Sequence, residues 1–138
     1  MSKQLIVDGD SLLFEPLFGN REVTILEQAT IKGSGHAQIQ GKKIAIVGDE
    51  KKVQLQAQYI TPSHPILGMG MVTIAQLDAS QQVNFCRSPA TVMVVGQQFI
   101  ACFTPTQPAN NPSSGPDVTA PSMGKGHFIA SQYAVNAG

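Results

Sequence analysis

The sequence predicts an all-β chain, on three observations. Apolar residues recur at every second position, the segments that carry them are short, and Gly, Pro, Asn or Asp stands between one segment and the next. Val53, Leu55, Ala57 and Tyr59 alternate with Gln and Lys, and Val92, Val94 and Gly96 repeat the pattern. The punctuation falls at Gly19-Asn20, Gly33-Ser34-Gly35, Gly48-Asp49 and Pro62-Ser63-His64-Pro65. No stretch of ten or more residues carries an amphipathic helical stripe, and Ile74–Gln82 has room for two helical turns at most.

From the N-terminus, Ile6-Val7 reads as a strand that ends in an Asp8-Gly9 turn. Residues 33–49, GSGHAQIQGKKIAIVGD, read as a strand, a tight turn at Gly41 and a return strand. Residues 88–104, SPATVMVVGQQFIACFT, fit the same frame with Gly96 in the place of Gly41. Two ordinary, unrelated hairpins would give the same reading. Residues 104–122, TPTQPANNPSSGPDVTAPS, hold five prolines and no aromatic residue, so they bury too little apolar surface to offset their ordering entropy. That segment is expected to be an extended, mobile loop or one draped over the outside. The strand pattern resumes at His127-Phe128-Ile129-Ala130, so residues 123–138 are expected to return as a closing strand.

The length of 138 residues suits one domain over 1–138 with a single core. Nine basic and nine acidic residues make up 13% of the chain, against a usual figure of about 25%. A surface so poor in charge suits a protein partner. With zero formal charge and no basic cluster beyond Lys42-Lys43 and Lys51-Lys52, nucleic acid is not an expected ligand. Asp8 and Asp10 interrupt the N-terminus before an apolar run of signal-peptide length forms, so synthesis in the cytoplasm without a signal peptide is the expectation. Cys86 and Cys102 are read as free thiols.

The second repeat carries a resemblance. Ala90-Thr91-Val92-Met93-Val94-Val95-Gly96-Gln97 is similar to the first half of the repeat unit of PAAR proteins, the tips of contractile injection machines. Gly33 and Gly41 keep that family's glycine spacing, and Gly48-Asp49 keeps its closing pair. The Pro-Ala-Ala-Arg signature is replaced by Lys43-Ile44-Ala45-Ile46 and Gln98-Phe99-Ile100-Ala101, and Phe103-Thr104 stands where Gly-Asp would close the second unit. The chain thus resembles a divergent member from a type VI secretion or phage-like tail cluster.

The resemblance implies a compact, pointed (conical) β-hairpin repeat domain. It would bind the blunt end of a trimeric β-helical spike, VgrG-like or from a phage tail, and sharpen it for membrane puncture. Assembly at the apparatus tip, delivery outside or into a target cell, transient contact with its membrane and carriage of effector cargo follow as expectations. Docking would draw on the repeat strands, Ile39, Ile44, Ile46, Val92, Val94 and Phe99, half of which must face the core instead. A metal staple at the apex, zinc by the chemistry of N and S donors, would draw on His64, His36, Cys86, His127 and Cys102. His64, between two prolines in a rigid turn, is the first choice; solvated histidines and buried thiols are the alternative.

Two other functions remain open on the residues. Ile6-Val7-Asp8-Gly9-Asp10-Ser11-Leu12 resembles the nucleophile block of GDSL-type esterases, with Ser11 as the nucleophile. The Asp-x-x-His pair that would activate such a serine is absent, as are the helices of that enzyme fold. A stand-alone metal-binding β protein is the remaining alternative.

Overall fold

The structure, a computed structural model, describes residues 3–35, 38–39, 41–84, 91–129 and 136–137. The chain runs through β1 (Lys3–Gln4), β2 (Ser11–Phe14), β3 (Leu17–Phe18), β4 (Arg21–Ile25), β5 (Gln38–Ile39) and β6 (Lys42–Lys43). A 3-10 turn at Asp49–Lys52 leads into the long strands β7 (Gln54–Thr61) and β8 (His64–Gln76). A second, Ala79–Gln81, precedes β9 (Gln82–Asn84) and β10 (Thr91–Met93), and the chain then makes β11 (Phe99–Gln107), β12 (Asn110–Asn111), β13 (Gly115–Pro116), β14 (Ser122–Ile129) and β15 (Asn136–Ala137). The all-β prediction holds, with no α-helix among the described residues.

Nine of these strands make one antiparallel sheet in the order β2-β14-β11-β8-β7-β4-β3, with β12 and β13 attached to the start of β8. It curls into a half-barrel. The alternation predicted for residues 53–59 is what positions β7: Leu55, Ala57 and Tyr59 are buried, while Gln54 and Gln56 face out. The curl is tight because glycines on the inner face stand under aromatic rings. A Cβ on Gly70 would lie 2.4 Å from the Phe103 ring, one on Gly124 2.6 Å from Phe18, and one on Gly126 2.7 Å from Phe99. The rings then pack edge-on or tilted, Phe99 against Phe128 at 5.0 Å and Tyr59 against Phe103 at 4.9 Å between centroids.

One expectation needs correction and two are narrowed. Ile74–Gln76 completes β8, so the helical content of 74–82 shrinks to one 3-10 turn, capped by Asp78 and Gln81 in a reciprocal box. The second repeat does not close as a hairpin: β10 pairs with β9, and β11 with β8 and β14. Of the two forms expected for the Pro-rich segment, the structure has the draped one. Thr104–Gln107 finish β11, β12 and β13 form a small ladder, and residues 117–122 are tied down by Arg21.

Arg21 is 2% exposed and spends its donors on that strap. Its Nε donates to Asp117 Oδ2 at 3.1 Å, Nη1 to the Ala120 carbonyl at 2.6 Å and Ser122 Oγ at 2.7 Å, and Nη2 to the Val118 carbonyl at 2.7 Å. The guanidinium carbon also lies 5.3 Å from the centroid of the Tyr59 ring. Tyr59 donates its hydroxyl to Asp117 at 3.0 Å and accepts from the Ala109 amide at 2.9 Å. Charge-assisted bonds thus replace the apolar burial that the proline-rich sequence cannot supply.

Candidate functional site

Away from the large sheet, three segments remote in sequence meet around one centre. The Ile6 amide donates to the Met93 carbonyl at 3.1 Å, the Met93 amide to the Ala45 carbonyl at 3.0 Å, and the Ala45 amide to the Ile6 carbonyl at 2.7 Å. The three donations close a ring. All three residues are fully buried and belong to the main core cluster. Their flanks follow the same rule: Leu5 bridges Val94 and Val7 bridges Ile44, both antiparallel, so each segment pairs with one neighbour before its central residue and with the other after it. Two residues further out, the Asp8 amide donates to the Lys43 carbonyl and the Val47 amide to the Thr91 carbonyl, both at 2.8 Å.

The pattern is a pinwheel with approximate three-fold symmetry, built within one chain. Its sequence basis is a shared turn: Val7-Asp8-Gly9-Asp10, Ile46-Val47-Gly48-Asp49 and Val94-Val95-Gly96-Gln97. The three glycines hold φ of 87°, 116° and 52°, a region closed to most side chains, so each segment reverses at the same step. In the first two copies the closing aspartate locks the turn. Asp10 Oδ2 accepts the Val7 amide at 2.8 Å, and Asp49 Oδ2 accepts the Ile46 amide at 2.9 Å. The third copy ends in Gln97 and is closed from outside. Fully buried Gln81 accepts the Val94 amide on its backbone carbonyl at 3.0 Å, and its side-chain Nε2 donates to the carbonyls of Val95, at 3.2 Å, and Gln97, at 2.7 Å.

The predicted site residues fall around this ring unevenly. Ile44, Val94 and Phe99 are fully buried, so their side chains form interior; Ile46 is half-buried at the ring. Ile39 and Val92 are strand residues whose backbones pair with Lys42 and Val83. Of the named metal candidates, His36 and Cys86 lie outside the described residues. His64 sits at the β7–β8 turn with Nδ1 2.9 Å from Thr61 Oγ1 and 3.9 Å from Asp117 Oδ1; His127 and Cys102 are half-buried in β14 and β11. Among the described residues no group of three or more His, Cys, Asp or Glu side chains is placed to hold a metal ion. Ser11 lies at the start of β2, paired with Ile129 and bridged to Thr30, in a strand rather than at a strand-to-helix elbow.

Hairpin spacing in the sequence pairs Gly41 with Gly96 and makes Ile6–Asp10 a lone strand and turn. The fold matches Gly48 and Gly9 with Gly96. A β-branched residue two positions before glycine, in Val7-Asp8-Gly9, Ile46-Val47-Gly48 and Val94-Val95-Gly96, is the signal that marks the N-terminal copy.

The family model of contractile injection system spike tip proteins matches the chain over residues 1–138. The chain belongs to that family. No curated protein matches it. This is the class to which the resemblance at Ala90–Gln97 pointed, and it makes the chain a structural component of the machine's tip, associated with its spike. In the spike tip protein no described helix is long and apolar enough to cross a membrane.

Proposed function

We propose that the chain caps a three-fold spike as a single copy, with the pinwheel as the docking end and the tip serving to breach a target envelope. The cyclic donation among Ile6, Ala45 and Met93 is the observation that carries this reading. A lone subunit on a trimer faces three identical surfaces, and an asymmetric base could complement only one of them well. A chain that repeats one backbone turn three times around an axis presents a similar main-chain outline to all three. Asp8, Val47 and Val95 occupy equivalent steps of the turns and are each half-buried, so each offers a partly uncovered contact. A surface low in charge limits the desolvation that such docking would cost.

Site-directed cross-linking tests this. In a background with Cys86 and Cys102 replaced by serine, cysteine is placed singly at Asp8, Val47 or Val95, and the spike carries one cysteine near its blunt end. All three variants are expected to cross-link to a spike chain. Cross-linking from one position only, or from none while the complex still forms, would contradict the docking end assigned here.

A further inference from the structure

The half-barrel does not close on itself, and the opening has the character of a strand site. Between β2 and β4 lies a groove of about 330 Å³ whose apolar wall includes Leu12, Phe14, Phe18, Val23, Ile25 and Ala29. Phe14, Ile25 and Ala29 pack against the core yet remain only partly covered. Leu13 lines the groove, and Leu26 follows Ile25; they are 52% and 49% exposed, so the apolar surface continues outside.

Both walls also present strand edges. The Leu12 amide points away from β14, toward the Ala29 carbonyl at 2.9 Å, whereas the Glu15 amide points to Lys125 of β14 at 2.8 Å. Alternation along a strand then turns the peptide groups of Phe14 outward with those of Leu12. On the facing side the Val23 amide donates to the Pro16 carbonyl at 2.8 Å and the Leu26 amide to Gln56 of β7 at 2.9 Å, which turns the peptide groups of Ile25 away from β7 and past the end of β3. Two edges therefore look into one apolar slot, the arrangement that strand addition uses. Its charge is one-sided: the lining holds Glu15 and Glu27 and no basic residue. Glu27 is held in place at the groove by accepting the Gln56 amide at 2.7 Å.

We propose that the groove between β2 and β4 accepts an extended peptide of a partner protein, which pairs with Phe14 and Ile25, seats alternate apolar side chains on the half-covered core, and offers a Lys or Arg to Glu15 or Glu27. The inference stands apart from the pinwheel, which lies on other segments.

The test titrates the full chain, isotopically labelled, with a capped seven-residue peptide of alternating valine and threonine ending in lysine at both termini. Saturable binding is expected, with the largest amide shifts at Phe14 and Ile25 and slower hydrogen exchange there. Replacing both terminal lysines by glutamate is expected to weaken binding at least about fivefold, as loss of a favourable charge pair of roughly 1 kcal/mol predicts. The exposed double substitution Glu15→Gln and Glu27→Gln is expected to remove that preference. A proline at the central valine, which cannot donate to a ladder, is expected to abolish binding without any change to the protein. Shifts confined to other surfaces, equal affinity for the lysine- and glutamate-ended peptides, or undiminished binding of the proline peptide would overturn the proposal.

Discussion

Arg21 anchors the 117–122 strap from a buried position. It is buried, it bonds to four groups of the 117–122 strap, and it lies over Tyr59 and Phe103. Its removal takes the guanidinium from Asp117 and leaves it the Tyr59 hydroxyl, the Val118 amide and His64 at 3.9 Å, so Arg21→Ala is expected to cost about 3 kcal/mol, the low end for breaking a buried pair. Urea denaturation reads the loss, and limited proteolysis is expected to cut first between residues 117 and 122. The acid limb follows from the same cluster. Burial alone would raise the Asp117 carboxyl, but hydrogen bonds from Tyr59 and Arg21 and the adjacent guanidinium charge outweigh it and hold the group below the usual carboxylate range. A depressed value in the folded chain means that the unfolded chain takes up the proton first. The contribution is therefore full above the ordinary aspartate value near pH 4 and fades as pH falls below it. Asp117→Asn is expected to lower stability at pH 7 and to flatten the fall between pH 4 and pH 2, as measured by denaturant midpoints across that range. None of this cluster was legible in the sequence, because Arg21 and Asp117 are 96 positions apart and nothing local marks them as partners.

At the scale of elements, the turns of the pinwheel divide into backbone and packing costs. Gly48 has φ of 116° with nothing within 4 Å of a built Cβ, so Gly48→Ala is expected to lose about 1 to 2 kcal/mol through backbone strain alone. Gly96→Ala is expected to lose more, since its Cβ would meet the Ser80 carbonyl at 2.5 Å. Thermal unfolding of the two variants gives the order. The contrast between β7 and these turns shows what the sequence could and could not reveal. Alternation in Val53–Tyr59 is a local property, set by one buried face, and it was read correctly. The pinwheel depends on hydrogen bonds between segments some forty to ninety positions apart, and its third copy replaces the locking aspartate by Gln81 from another element. Matching by hairpin spacing therefore chose Gly41 over Gly48. The anchor of the strap is hidden for a related reason: composition reports apolar burial, and Arg21 ties the segment by charge.

At the scale of the molecule, the curled sheet and the three-fold ring share one core, in which Ile6, Ala45 and Met93 are fully buried in the same cluster as the aromatic side chains. The family places this chain at the tip of a contractile injection machine, and under the docking proposed above the ring would let one chain meet a symmetric spike. That docking fixes a number. Native mass spectrometry of the chain co-expressed with its spike is expected to find one copy for every three spike chains, with no species carrying two or three copies at excess tip. Three copies per trimer, one on each spike chain, would contradict the pinwheel as the docking end.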